Sequence, residues 1–332
     1  MTSKFRASYY LIGSLLGRCG AATVGLPGGC NLGARPIDQH IKGFEALGGS
    51  VKISQGKIIA KAEKLIGSPI YLDMVSVGAT INIMLASVLA EGTTTIDNAA
   101  KEPHIVDLAN FLNTMGADIR GAGTDVIKIN GVKELRSSGT YSVVPDQIET
   151  GTFMFAAVAS KGDIYIKNCI PEHLDCVTAK ILEMGANVEY NNDTIHIWND
   201  KRPNKTTVKT LPHPGFPTDL QPEIGVCLAI ANGTSIIRES IWESRFQYTA
   251  ELNKMGAKIL DQGKSAVFEG VEKLYGAPVE ATDLRAGAAL IIAGIVAEGE
   301  TTLTNLIHID RGYEYIEDKF RALGANIQRI SE

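Results

Sequence analysis

Residues 181–190, ILEMGANVEY, predict the end of an amphipathic helix, a turn at Gly185 and the start of a strand. Glycine often follows the last helical turn, because it adopts the left-handed conformation without steric cost. The alternation of apolar and polar residues after Gly185 is typical of a strand that buries one face. This pattern occurs five times. Its glycines, at steps of 68, 69, 71 and 68 residues, are Gly48, Gly116, Gly185, Gly256 and Gly324.

A step of about 70 residues indicates an internal structural repeat. In each repeat a first helix, starting near Arg6, Val77, Ile148, Asp219 or Leu284, is apolar on most of its faces. Such a helix is expected to be buried, whereas the second, amphipathic helix is expected to lie outside it. The sequence therefore predicts an α/β fold of five repeats, each with a buried helix, an outer helix and strands.

The domain junction is predicted at residues 143–146, where Pro145 interrupts a strand-like run. The N-terminal domain, residues 1–144, then holds two repeats, and the C-terminal domain, residues 145–332, holds three. Four repeats follow a strand-rich segment, but the first does not. If both domains share one design, we expect the N-terminal domain to be incomplete by one repeat.

The composition is that of an ordinary globular protein, with 45% hydrophobic and 21% charged residues. The net charge of −5 gives no general attraction to nucleic acid or anionic membranes, and no apolar run is long enough to span a bilayer. The first residues lack a secretory signal and the five cysteines lack CxxC or zinc spacing, so we expect a cytoplasmic protein. Without histidine clusters, a Walker sequence or GxGxxG, neither metal nor cofactor is predicted.

Residues 26–36, LPGGCNLGARP, place Cys30 in a glycine-rich loop that leads into a helix at Pro36. Arg35 stands at the helix start, where free N–H groups and the helix dipole attract anions. A thiol beside a cation suits a negatively charged substrate. The alternative is a surface loop with an ordinary cysteine, and the loop by itself favours that alternative.

Six strings, in order, resemble the UDP-N-acetylglucosamine 1-carboxyvinyltransferases of the enolpyruvyl transferase family. They are LPGGCNLGARPIDQH (26–40), SVGATINIM (76–84), PDQIETGTF (145–153), FPTDLQ (216–221), ATDLRAGAALI (281–291) and HIDRGYEYIEDKFRALGA (308–325). The resemblance implies an inside-out α/β barrel with two domains of βαβαββ-like units, of which five of six are present. It also implies transfer of enolpyruvyl from phosphoenolpyruvate to the 3-hydroxyl of UDP-N-acetylglucosamine, with release of phosphate, in peptidoglycan synthesis.

The resemblance implies that Cys30 is a general acid, and a target of fosfomycin, and that Asp219 is the general base. By position alone, Asp219 is more simply explained as a helix N-cap. Arg245, at a helix-start position shared with other arginines, is a further candidate cation. For phosphoenolpyruvate, the resemblance implies Arg285 and Arg311. For the nucleotide sugar, the candidates are Arg6, Arg35, Pro36, Ile37, Asp38, Gln39, Val75, Ser76, Val77, Gly78, Asp219 and Ile241.

The sequence departs from the family in two places. The family's first unit, with a Lys-Asn pair that contacts phosphoenolpyruvate, has no counterpart, and Met74 stands where many members have a lysine. Two alternatives therefore stay open. One is a relative that binds the nucleotide sugar without turnover. The other is a 3-phosphoshikimate 1-carboxyvinyltransferase.

Overall fold

The computed structural model describes residues 6–26, 36–137 and 139–330. These residues divide into two compact domains, one ending at Val144 and the other beginning at Pro145. Each domain has its own apolar core, in which helices pack against the inward-facing residues of the strands.

The first domain holds two repeats and begins with a 3₁₀ turn at Arg6–Tyr9. Its helices are α1 (Tyr10–Cys19), α2 (Asp38–Ala46), α3 (Val77–Ser87) and α4 (Pro103–Thr114). Its strands are β1 (Ala21–Gly25), β2 (Ser50–Ser54), β3 (Lys57–Lys61), β4 (Pro69–Tyr71), β5 (Thr93–Asp97), β6 (Asp118–Arg120) and β7 (Val126–Asn130). They form an antiparallel sheet of order β1-β3-β2 and a mixed sheet of order β4-β5-β7-β6.

The second domain holds three repeats. Its helices are α5 (Gln147–Ser160), α6 (Asp175–Glu183), α7 (Gln221–Ala229), α8 (Tyr248–Lys254), α9 (Leu284–Val296), α10 (Ile307–Asp310) and α11 (Ile316–Ala322). Its strands are β8 (Asp163–Ile166), β9 (Asn187–Asn191), β10 (Thr194–Trp198), β11 (Thr207–Lys209), β12 (Thr234–Arg238), β13 (Lys258–Asp261), β14 (Ser265–Glu269), β15 (Pro278–Glu280) and β16 (Thr302–Thr304). The sheets have the orders β8-β10-β9, β11-β12-β14-β13 and β15-β16.

The repeat predicted from the glycine spacing is present in the structure. The sheets β4-β5-β7-β6 and β11-β12-β14-β13 have the same strand order, with the first pair parallel and the others antiparallel. The five glycines that end the second helices all have a positive φ, as a left-handed residue after a helix requires. Their φ values are 88° for Gly48, 97° for Gly116, 89° for Gly185, 89° for Gly256 and 97° for Gly324.

The first helix of each repeat lies on the inside, but to different degrees. In the second domain α5, α7 and α9 pack against one another and are almost wholly buried. In the first domain α1 packs closely on α3, because Gly13 has no Cβ and its N–H donates to Asn82 at 2.9 Å. Contrary to the expectation of burial on most faces, α1 leaves Leu11 and Leu15 47% and 36% exposed.

The strand-like run that Pro145 interrupts at residues 143–146 forms no strand. Val143 is 76% exposed, and its backbone has no sheet beside it to pair with. An extended segment without a neighbouring strand gains no ladder hydrogen bonds, so its β propensity does not suffice to make it a strand. The boundary between the two domains lies within residues 143–146, and the side chain of Asp146 caps α5.

Candidate active site

Asp219 lies between two arginines in the second domain. Its Oδ1 is 3.3 Å from Arg245 Nη2, and its Oδ2 is 3.3 Å from Arg285 Nη2. The Asp219 side chain is 42% exposed, whereas those of Arg245 and Arg285 are 2% and 14% exposed. A solvent-facing carboxylate is thus held by two inner cations, an arrangement that fixes the direction in which it can accept a proton.

Arg245 uses its donors within the protein. Its Nε and Nη2 donate to the backbone carbonyl of Thr218 at 3.2 and 3.0 Å, and its Nη1 is 3.6 Å from Asp283. The sequence predicts a cation directed at a substrate. The structure places this guanidinium underneath Asp219, where its contacts support the carboxylate.

Arg285, the second residue of α9, is the first member of a chain of hydrogen bonds. Its Nη1 donates to the Tyr313 hydroxyl at 3.1 Å, which lies 2.9 Å from the Thr152 hydroxyl. Thr152 in turn donates to the Ile148 carbonyl at 2.9 Å, so Tyr313 is left as the donor to Thr152. Burial lowers the pKa of Arg285, but Asp219, Tyr313 and Glu223 together raise it above its usual value. The guanidinium is therefore a permanent, oriented cation.

Glu239, which sequence reasoning missed, anchors the segment that carries Asp219. This carboxylate is 3% exposed and accepts hydrogen bonds from the hydroxyls of Thr210 at 2.8 Å and Thr218 at 3.0 Å. It also accepts from the backbone N–H groups of Ile241 at 2.7 Å and Trp242 at 3.1 Å. The predicted site residue Ile241 is thus joined to the Asp219 segment through one buried carboxylate.

The string Thr-Asp-Leu occurs twice, at residues 218–220 and 282–284, and its aspartate has a different structural position in each. Asp283 caps α9 and accepts hydrogen bonds from the N–H groups of Arg285 and Ala286. Around Asp219 the chain makes a 3₁₀ turn, Thr218–Leu220, and α7 starts only at Gln221. Asp219 consequently lies two residues ahead of α7, with its carboxylate against the two guanidinium groups.

The structure brings together two predicted nucleotide-sugar segments in the first domain. Buried Gln39 in α2 accepts a hydrogen bond from the Asp73 N–H at 2.9 Å and donates to the Asp38 and Asp73 carboxylates. The segment before α3 is thereby tied to the start of α2. Ser76 caps α3 and accepts from the Ala79 N–H at 3.3 Å. Such a helix start presents N–H groups to an anion.

The remaining candidates have the following positions. Pro36 and Asp38 are exposed, Ile37 is buried, and Val75, Val77 and Gly78 are half-buried around the start of α3. A Cβ on Gly78 would lie 2.9 Å from the His40 ring, so only glycine lets that ring approach. Arg311 is exposed at the end of α10. Cys30, Arg35 and the Arg6 side chain lie outside the described residues.

Four cysteines are described: Cys19 is exposed, Cys169 and Cys227 are buried, and Cys176 is intermediate. Burial raises the pKa of Cys169, Cys176 and Cys227 above that of a free thiol. A raised pKa lowers the thiolate fraction, so these three are poor nucleophiles.

Two further properties concern the described residues alone. Within residues 6–26, 36–137 and 139–330, no group of three His, Cys, Asp or Glu side chains could hold a metal ion. None of the helices in this part of the chain has the length and apolar character needed to cross a membrane.

Apart from the α3 start in the first domain, the site in the second domain combines a carboxylate with permanent cations. It can take a proton from a bound hydroxyl and hold anionic groups, as acid–base chemistry on a phosphorylated substrate requires. Sequence reasoning missed Glu239, Tyr313 and Glu223. Tyr313 stands in the quoted string HIDRGYEYIEDKFRALGA, which was a signal for it, and a charged residue inside the apolar α7 sequence was a signal for Glu223.

Comparison with known proteins identifies relatives of the whole chain. The family model of EPSP synthase (3-phosphoshikimate 1-carboxyvinyltransferase) matches residues 1–320. UDP-N-acetylglucosamine 1-carboxyvinyltransferase 2 of Clostridium acetobutylicum is 61% identical over 98% of this chain and 78% of its own length. UDP-N-acetylglucosamine 1-carboxyvinyltransferase 3 of Caldanaerobacter subterraneus is 58% identical over 100% of this chain and 79% of its own.

Solved structures have the same fold. The enolpyruvyl transferase NikO from Streptomyces tendae has a TM-score of 0.86 at 26% identity, covering 98% of this chain and 77% of NikO. EPSP synthase from Acinetobacter baumannii has a TM-score of 0.75 at 19% identity, covering 99% and 79%. These likenesses confirm the predicted enolpyruvyl transferase fold. On the match of a family model and the identity to these relatives, the chain belongs to the EPSP synthase family, among its UDP-N-acetylglucosamine 1-carboxyvinyltransferases.

Proposed function

We propose that this protein transfers the enolpyruvyl group of phosphoenolpyruvate to the 3-hydroxyl of UDP-N-acetylglucosamine and releases phosphate. The observation that carries the proposal is the Asp219 carboxylate held by Arg245 and Arg285, in a chain that is 61% identical to an enzyme named for this reaction. The product is a precursor of peptidoglycan, and the proposed location is the cytoplasm, where both substrates are made.

The reaction is an addition followed by an elimination. In the addition, Asp219 accepts the proton of the sugar 3-hydroxyl, and the oxygen of that hydroxyl bonds to C2 of phosphoenolpyruvate. Cys30 donates a proton to C3. Loss of a proton from the resulting methyl carbon and of phosphate from C2 then restores the double bond. Arg285 and Arg311 hold the anionic groups of phosphoenolpyruvate, and the α3 start holds the diphosphate of the sugar nucleotide.

Arg245 has a supporting part in this scheme. Its guanidinium is buried, and it contacts the Thr218 carbonyl, Asp219 and Asp283. It therefore keeps the Asp219 carboxylate in place, while the more accessible Arg285 supplies the cation for the substrate. Because Tyr313 and Thr152 hold Arg285 in turn, the cation is oriented before substrate arrives, which favours stabilisation of charge in the transition state.

The test is phosphate release from phosphoenolpyruvate by the purified chain with UDP-N-acetylglucosamine as acceptor. Shikimate 3-phosphate serves as the alternative acceptor, because the matching family model carries that activity in its description. We expect phosphate release when the nucleotide sugar is the acceptor and none when shikimate 3-phosphate is the acceptor. Release with shikimate 3-phosphate alone would contradict the proposal in favour of the sister activity. Nucleotide-sugar binding by calorimetry without any release would indicate a silent relative.

The role of Asp219 is tested with Asp219→Asn, which keeps the shape of the side chain and removes its basicity. The matched control is Asp200→Asn, an exposed aspartate of the same domain. We expect Asp219→Asn to lower kcat by about 10²-fold or more and the control to match the parent. Equal kcat values for the two variants would exclude Asp219 as the base.

A further inference from the structure

Glu223 is a buried carboxyl one helical turn behind Asp219. It lies in the first turn of α7, four residues after Asp219, and is 0% exposed. Among the described residues, neither of its oxygens has a hydrogen-bond partner in another residue, and its own backbone N–H is the one donor that acts on the carboxyl group. A buried carboxyl without a partner in another residue is costly for folding, and more so when it is ionised, so its presence in an apolar helix needs an explanation.

The groups around Glu223 belong to the proposed active site. Arg285 and Arg245 favour its ionised form, whereas Asp219 opposes it. Glu223 also acts on the ionisation of groups from other elements of the domain. The titratable and charged groups that interact with it are Asp219 before α7, Cys227 in α7, Arg245 and Tyr248 at α8, Arg285 in α9 and Tyr313 after α10.

The protonation state of Glu223 follows from burial. Burial raises its pKa from 4.5 to about 8, against the opposing effects of Arg285, of its own backbone N–H and of Arg245, and with a smaller contribution from Asp219. At neutral pH the side chain is therefore mostly neutral. On ionisation, a second negative charge appears beside the two guanidinium groups that hold Asp219.

This second charge matters because an anionic substrate depends on the same cations. In a poorly solvated site the positive charge of Arg285 acts on every anionic group near it. An ionised Glu223 therefore weakens the electrostatic attraction between Arg285 and a phosphoryl or carboxyl group of the ligand. A neutral Glu223 has no such effect.

We propose that Glu223 is a positioning residue whose neutral form reserves Arg285 for Asp219 and for the anionic phosphoryl substrate. The inference rests on the proposed enolpyruvyl transfer for its kinetic consequence, but the ionisation of Glu223 is a property of the domain itself. A residue that only fills space in α7 has no reason to change activity with pH.

The kinetic test compares the parent with Glu223→Gln, which has the shape of the neutral acid and cannot ionise. Glu172→Gln, at an exposed position of the same domain, is the control. The measurement is kcat/KM for phosphoenolpyruvate from pH 6.5 to 9.5. With a pKa of about 8, about nine tenths of Glu223 is neutral at pH 7 and about one tenth at pH 9.

We expect kcat/KM of the parent and of Glu172→Gln to fall about tenfold more than that of Glu223→Gln between pH 7 and pH 9. The ratio between the two pH values is the readout, because a loss of packing lowers activity at both pH values alike. Three superimposable pH profiles would overturn the proposal.

A second measurement needs neither turnover nor a variant. Carbon-13 NMR of the parent, labelled at its glutamate carboxyl carbons, should show one glutamate that titrates near pH 8. The absence of any glutamate titrating above pH 6.5 overturns the proposal. Calorimetric binding of phosphoenolpyruvate, measured without the nucleotide sugar so that no turnover occurs, should weaken between pH 7 and pH 9 in the parent more than in Glu223→Gln.

These arms separate the two proposals. If no chain turns over phosphoenolpyruvate, enolpyruvyl transfer fails as the function, and the titration and binding data still decide the role of Glu223. If turnover is present but parent and Glu223→Gln bind phosphoenolpyruvate with the same pH dependence, the role of Glu223 fails while the proposed function stands.

Discussion

Tyr313 accepts a hydrogen bond from Arg285, with 3.1 Å between the hydroxyl oxygen and Nη1. The guanidinium carbon lies over the Tyr313 ring, 5.5 Å from its centroid, so the ring also attracts the cation through a cation–π interaction. Tyr313 is 3% exposed. Arg285 is thus oriented by an almost wholly buried residue, and this relationship can be tested separately from the chemistry.

Tyr313→Phe keeps the ring and removes the hydroxyl. One hydrogen bond to Arg285 is lost, and Thr152 loses the donor Tyr313 while it keeps its bond to the Ile148 carbonyl. We expect the change to weaken phosphoenolpyruvate binding by about 1 kcal/mol, or about fivefold in KM. The measurement is KM for phosphoenolpyruvate beside KM for the nucleotide sugar. Tyr275→Phe, at a tyrosine that is 56% exposed, is the control. An unchanged KM in Tyr313→Phe contradicts the orienting role.

Glu239→Gln tests the anchor of the Asp219 segment. Hydrogen bonds to a carboxylate are stronger than those to an amide, and four donors converge on Glu239, so we expect a loss of about 2 kcal/mol in the free energy of unfolding. A fall in kcat should accompany it, because Thr218 is held by Glu239. Denaturant unfolding and phosphate release are the measurements. Glu269→Gln, on the exposed side of β14, should match the parent in both.

The stability of the protein should depend on pH through Glu223. Its pKa is raised from 4.5 to about 8 in the folded state, so the folded chain binds more protons than the unfolded chain between these values. The contribution is complete below pH 4.5 and is lost as the pH rises to 8. Relative to Glu223→Gln, the parent should lose on the order of 4 kcal/mol over this range. A constant difference between the two unfolding free energies from pH 5 to pH 8.5 contradicts this.

Cys30 is expected to be the thiol that fosfomycin alkylates when the nucleotide sugar is bound. Cys169, Cys176 and Cys227 have raised pKa values, which leaves exposed Cys19 as the competitor. Mass spectrometry should find one adduct, on Cys30. Cys19→Ser should still be labelled. Cys30→Asp keeps an acid at that position, so it should retain some turnover and remain unlabelled; labelling of another cysteine contradicts the assignment.

Ser76→Ala removes the N-cap of α3. We expect about 1 kcal/mol less stability and a several-fold rise in KM for the nucleotide sugar, because the N–H groups at the helix start are less well fixed. KM for phosphoenolpyruvate should stay as in the parent. Ser76→Thr restores a capping hydroxyl and should rescue both properties, while Ser54→Ala at an exposed position is the control. A rise in both KM values alike would argue against a separate sugar-nucleotide site.

Periodic features of the fold were predictable from the sequence. The five glycines at near-equal steps require left-handed residues after five helices, and all five have a positive φ. Each is a local signal, decided within one turn of helix and the first residues of a strand. The strand-like run at residues 143–146 gives no such local signal, because whether an extended segment becomes a strand depends on a neighbour elsewhere in the chain.

The candidate site was predictable in part. Asp219 and Asp283 stand in the same string, and their local sequence does not reveal that one caps a helix while the other meets two arginines. That outcome depends on Arg245 and Arg285, which are 26 and 66 residues away from Asp219. Tyr313 and Glu223 were missed for the same reason, because they interact with Arg285 and with residues of other repeats. Glu239 was missed because Thr210 and Thr218, which it holds, are 29 and 21 residues away in the sequence. Glu223 also interrupts the apolar sequence of α7. This interruption can be seen in the sequence, but it does not indicate what the residue does.

The second domain closes its first repeat onto its last. Thr152 lies 2.9 Å from Tyr313, 161 residues later, and Glu149 pairs with Lys319, 170 residues later. During synthesis on a ribosome these contacts can form only after residue 320 has emerged. Until then, one side of α5 stays exposed to solvent while the two following repeats are made. Its apolar surface is then a natural binding site for a chaperone. Since the orientation of Arg285 depends on the same closing contacts, the cation is set only when the domain is complete.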